Sequence, residues 1–216
     1  PTVPLRGPCI PGSRTLTASA PLIPRGPKSQ NLYVCPRQYP ILLVVADTTT
    51  GPSMYELGPP FSGTAVPPGT NILLTGPPLA GKRYLALETL AVGARDGEGT
   101  ILVSTRDSAD RIREAFATLV GDDTPVAVVD AVSQHIGRSP DAELTKYTAS
   151  PRDMSDIGIK FSEFIQSFYT DQQREHNRVL VDSLSTMLVY SNLQTVFRFL
   201  HVFTSRIENV DGLGLY

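Results

Sequence analysis

Gly76-Pro77-Pro78-Leu79-Ala80-Gly81-Lys82-Arg83 follows the apolar run Asn71-Ile72-Leu73-Leu74-Thr75 and opens an apolar, helix-like segment over residues 84–94. A strand, a glycine-bounded loop and a helix in that order form a cradle for phosphate. The backbone N–H groups and the helix N-terminus meet the anion, and a lysine reaches its outer oxygens. Gly76, Gly81 and Lys82 stand where the pattern G-x-x-x-x-G-K-S/T requires them, while Arg83 takes the place of the Ser/Thr whose hydroxyl holds Mg²⁺. The octapeptide therefore reads as a phosphate-binding loop that lacks one metal ligand.

At 216 residues the chain fits one α/β domain with a tail. Residues 1–53 carry ten of the 19 prolines and five basic groups against one acidic, a balance of +4. Proline at that density breaks helix and strand alike, so this stretch reads as a disordered or non-native extension, with the domain running over 54–216 from Met54. Its six-residue apolar run, Ile41–Ala46, is too short to span a bilayer, and no leader pattern precedes it. Opening on Pro1 and stopping at Gly212-Leu213-Gly214-Leu215-Tyr216, the chain reads as a C-terminally incomplete fragment whose last strand is cut short.

The other 163 residues hold 14 basic and 20 acidic groups, a balance of −6 that offers nucleic acid no basic surplus. Arginine outnumbers lysine there eleven to three, a usage that fits a salt-adapted or GC-rich prokaryotic source. Both cysteines, Cys9 and Cys35, precede Met54, so no disulfide framework is implied and a reducing cytoplasm is the expected compartment.

From residue 71 onward, short β-branched runs at 71–75, 100–104, 125–130 and 178–182 alternate with helical patterns at 84–94, 109–120, 153–171 and 194–207. That alternation predicts a mostly parallel sheet with helices on both faces. Residues 131–152 read as an irregular segment, functional or disordered, with His135 a surface histidine lacking partners at metal spacing. The run Val179-Leu180-Val181-Asp182 delivers a carboxylate to the carboxyl edge of such a sheet, where the phosphate loop also lies. Asp182 is the predicted metal anchor, with Asp130 its rival.

At these residues the chain resembles the RecA superfamily, specifically the KaiC-like ATPases of archaea. The resemblance rests on residues 69–76 leading into Lys82, on Ile101-Leu102-Val103-Ser104-Thr105-Arg106-Asp107-Ser108, and on Val179-Leu180-Val181-Asp182-Ser183-Leu184-Ser185. It covers residues 66–216 and implies a RecA-like three-layer P-loop fold. It also implies ATP held by Gly76, Pro77, Pro78, Leu79, Ala80, Gly81, Lys82 and Arg83, Mg²⁺ at Asp182, and Asp107 as general base.

Relatives of this type carry two acidic residues after the second strand, where this chain has Arg106 and Asp107. With Arg83 in the metal-ligand position as well, the resemblance implies an ATP-binding regulator with weak or lost hydrolysis, acting through a homo-oligomer or a protein partner. The alternatives are an active DNA-dependent ATPase of recombination or repair, and a pseudo-ATPase scaffold for protein contacts. The acidic domain counts against the first, and retention of Gly76, Gly81 and Lys82 against the second.

Overall fold

A computed structural model of the chain describes residues 31–35, 41–46, 54–59, 61–134, 137, 142–172 and 174–216. In chain order the strands are β1 (Asn31–Cys35), β2 (Ile41–Ala46), β3 (Tyr55–Glu56), β4 (Ala65–Val66), β5 (Asn71–Thr75), β6 (Gly99–Ser104), β7 (Ala127–Asp130), β8 (Thr145–Tyr147), β9 (Asn177–Asp182) and β10 (Leu213–Leu215). The helices are α1 (Lys82–Arg95), α2 (Ala109–Val120), α3 (Met154–Thr170), α4 (Leu184–Tyr190) and α5 (Leu193–Asn209).

The main sheet runs β1-β2-β5-β10-β9-β6-β7-β8, and β3 pairs with β4 in a small hairpin. From β5 to β8 all six strands are parallel. The fold is thus a three-layer α/β arrangement with a mostly parallel sheet.

Side-chain alternation along the strands separates the two helical layers. Leu102, Val128 and Leu180 face one core with Leu85 and Leu90 of α1 and Ile112 and Phe116 of α2. Ile101, Val103, Val129, Val179 and Val181 face the other, with Ile157 and Phe161 of α3 and Val196, Phe203 and Ile207 of α5. Both faces are covered, which is why these strands read as near-continuous apolar runs.

Two segments correct the reading of residues 1–53 as wholly outside the domain. β2 pairs antiparallel with β5, and β1 with β2, so Ile41–Ala46 covers the edge of the strand that leads into the loop at 76–81. A strand of branched apolar residues beside an open sheet edge gains a ladder of hydrogen bonds, which the composition of the surrounding proline-rich chain conceals. Within the stretch read as irregular, β8 adds a parallel strand beside β7. His135 lies outside the described residues. None of the described helices is long and apolar enough to cross a membrane.

Candidate functional site

Because β5, β6, β7 and β9 are parallel, their carboxyl ends open onto one edge of the sheet, where ligands bind in folds of this kind. Ser104 of β6 lies in register with Asp182 of β9 on one side and with Asp130 of β7 on the other. The loop after β5 rises onto the same edge.

The loop closes on Gly81, whose φ of 83° and ψ of 10° lie in the left-handed region. A Cβ there would meet nothing within 4 Å, so the backbone conformation, and not space, calls for glycine. α1 then starts at Lys82 with no capping side chain and no acidic residue in its first turn. The first four N–H groups of a helix have no intrahelical acceptor, and the helix dipole adds positive potential there. Pro77 and Pro78 lack an N–H, and Ala80 N donates to Pro77 O at 3.4 Å within the loop, so the donors offered to an anion are those at the start of α1. Lys82 Nζ donates to Gly76 O at 2.7 Å and Pro77 O at 2.8 Å, folding the ammonium across the mouth of its own loop.

Arg83 projects from the first turn of α1 toward the ends of β9 and β6. Its Nε donates to Asp182 Oδ2 at 2.7 Å, and its Nη2 lies 2.7 Å from Asp107 Oδ2. Both carboxylates are nearly enclosed, at 7% and 15% side-chain exposure, so solvent screens their attraction to the shared cation less than it would at the surface. Arg106 Nε and Arg111 Nη1 each stand 3.9 Å from Asp107.

The segment after β6 is shaped to present Asp107. Ser104 Oγ donates to Asp107 O at 2.6 Å and accepts from Asp107 N at 3.0 Å. Thr105 Oγ1 donates to Ser183 O at 3.1 Å and accepts from Ser183 N at 3.0 Å, stitching this turn to the end of β9. Ser104 and Thr105 fall within the stretch that carries the resemblance, which assigns them no role, and Arg111 escapes a motif-based reading.

Asp130, the rival to Asp182, is fully buried and spent on structure. Its Oδ1 accepts from Val132 N and Ser133 N, both at 2.8 Å. Its Oδ2 accepts from Ala109 N at 2.7 Å and Ser133 Oγ at 2.6 Å. It closes the turn after β7 and places a negative charge at the start of α2.

The loop residues suit a phosphate, but the metal-ligand positions do not suit the magnesium ion implied by the resemblance. Residue 83 offers a cationic fork in place of a hydroxyl, and Asp182 and Asp107 both already receive it. Among the described residues, no group of three or more His, Cys, Asp or Glu is arranged to hold a metal ion.

Comparison with known proteins adds kinship but no activity. No curated protein matches the sequence. Among solved structures, the chain is similar to the uncharacterised protein PH0321 from Pyrococcus horikoshii, crystallised in complex with an unknown peptide, at 12% identity and a TM-score of 0.47. That match spans 62% of this chain and 62% of the Pyrococcus chain. Residues 69–216, which hold the loop, Asp107 and Asp182, match the sequence model of a family of unknown function, DUF7504, and the chain belongs to that family.

Proposed function

We propose that this protein is an ATP-binding regulator of the P-loop type, in which occupancy of the loop, with slow or no hydrolysis, is the output. One observation carries the reading. The uncapped start of α1, with Lys82 across the loop, lies beside two carboxylates that share the one guanidinium of Arg83. The first part is a cradle for phosphate. The second leaves Asp107 engaged by a cation, so it is poorly placed to take a proton from water. Misplacement near 1 Å costs about 100-fold in such steps.

A second reading, that the output passes through a homo-oligomer or protein partner, has its own support. Leu193 and Phe197 stand one turn apart on the same face of α5 at 71% and 69% exposure. Apolar side chains grouped on one surface favour a protein contact. Sedimentation with and without ATP measures it. The acidic domain still disfavours a nucleic-acid partner, and the cytoplasm remains the proposed compartment.

Calorimetric titration of ATP into the full chain and into Lys82→Ala tests the main reading. Loss of the ammonium is expected to weaken binding more than about ten-fold, or roughly 1.4 kcal/mol, with an unchanged circular dichroism spectrum. Equal affinities would overturn the assignment of the loop.

A further inference from the structure

We infer that Arg83 replaces the divalent cation at this site, so that the loop takes a nucleoside polyphosphate free of metal. This rests on the phosphate-loop reading above.

The geometry comes first. A metal bridging nucleotide and protein would be held where the chain brings Asp182, Asp107 and residue 83 together. The guanidinium already lies there, 2.7 Å from each carboxylate. A guanidinium has five N–H donors in a rigid fork, and these two contacts use two of them. Three donors remain for phosphate oxygens, so Arg83 can tie the ligand to the same two aspartates that a metal would.

The charges agree. Lys82, Arg83, Arg106 and Arg111 against Asp107 and Asp182 give the cluster a formal charge of +2. With a hydroxyl residue at position 83 and an acidic residue at position 106, the same cluster would stand at −1, and a polyanion would then need a divalent ion to enter. Arg106 and Arg111 are more than half exposed and so partly screened. Arg83 is 30% exposed and holds the decisive position. The two departures from the ATPase pattern therefore amount to one change, in which fixed cations take over the role of a bound one. A free Mg²⁺ would have to break a charge-assisted hydrogen bond to Asp182 and an ion pair with Asp107 to displace it.

The test is calorimetric titration of ATP into the full chain in excess Mg²⁺ and in chelator, repeated with Arg83→Thr and Arg83→Lys. Wild-type dissociation constants are expected to agree within about three-fold between the two buffers. Arg83→Thr is expected to bind at least about ten-fold more weakly in chelator and to recover when Mg²⁺ is supplied, because a hydroxyl and two released carboxylates re-create a metal site. Arg83→Lys keeps the charge without the fork, so it should bind less tightly than wild type yet stay indifferent to Mg²⁺. Should Arg83→Thr fail to fold, judged by its thermal melt, the wild-type and Arg83→Lys comparisons decide the matter. Wild-type binding that tightens about ten-fold or more with Mg²⁺ would overturn the inference and leave the loop reading intact. Absence of ATP binding in both buffers would overturn the loop reading, and the inference with it.

Discussion

Arg178 closes on both carboxylate oxygens of Glu98, Nε to Oε2 at 2.7 Å and Nη2 to Oε1 at 2.9 Å, at the amino end of β9 and opposite the candidate site. Its Nη1 donates to Glu56 O at 2.6 Å and Thr89 O at 2.8 Å, and its guanidinium carbon lies 5.4 Å from the centre of the Tyr55 ring. One buried side chain thus joins the β3–β4 hairpin, α1, the approach to β6, and β9. Removing one partner of such a pair strands the other charge in the interior. Glu98→Ala is expected to cost about 3 kcal/mol in urea unfolding while ATP affinity stays at the wild-type value. A cost below about 1 kcal/mol would show the pair to be dispensable.

Gly93 makes room for that pair. A Cβ at this position would lie 2.2 Å from Arg178 Nε and 2.6 Å from Glu98 Oε2. Alanine in a helix interior ordinarily gains about 1 kcal/mol over glycine. Gly93→Ala is instead expected to lower the urea midpoint, at a cost of about 1–3 kcal/mol from overpacking around a fixed ion pair. A raised midpoint would mean that Arg178 can move aside.

What the sequence discloses divides along physical lines. The β5, β6, β7 and β9 strands were legible as short apolar runs bounded by polar or turn residues, the α2, α3 and α5 helices because each buries one face at helical spacing, and α1 from its place after the glycine-bounded loop. The β3, β4 and β8 strands span two or three residues and carry no period. β1 and β2 were hidden by the prolines around them, since composition is an average and the pairing of β2 with β5 is local. The strand–loop–helix turn at residues 71–95 was legible because its glycines and flanking apolar runs are consecutive in the chain. The meeting of Arg83 with Asp182 was not, because 99 positions separate them and only the strand order brings them together. The sequence marked Arg83 as a lost ligand without showing where its charge goes.

Asp130 and Lys82 should separate stability from binding. Asp130 accepts four hydrogen bonds that close the turn after β7 and start α2, none of them from the loop. Asp130→Ala is expected to cost about 3 kcal/mol or more in unfolding free energy, because three backbone N–H groups and a hydroxyl lose their acceptor. ATP affinity should change less than about three-fold at temperatures where the variant is folded. Loss of binding in folded Asp130→Ala would place Asp130 in the site after all.

Alkaline pH should weaken the fold through two tyrosines. Burial pushes the Tyr55 hydroxyl up to about 12 from its ordinary 10.0, outweighing the hydrogen bond it accepts from Asn177 N at 3.2 Å, which acts the other way; the hydroxyl donates to Asp211 O at 2.8 Å. Burial also raises Tyr216, with Glu208 adding to the effect; its hydroxyl donates to Asn71 Oδ1 at 2.8 Å. A group whose proton is held more tightly in the native state contributes stability that is whole below the unfolded value. That stability drains away as pH rises toward the folded value, because the unfolded chain releases its proton first. Unfolding free energy measured in urea should therefore be flat up to about pH 9.5 and fall between pH 10 and about 12, with Tyr55 alone accounting for about 2–3 kcal/mol. Tyr55→Phe should start from lower stability, since Asn177 N loses its acceptor, yet show a shallower decline over the same window. A slope in Tyr55→Phe as steep as wild type would show that this hydroxyl does not govern the alkaline transition.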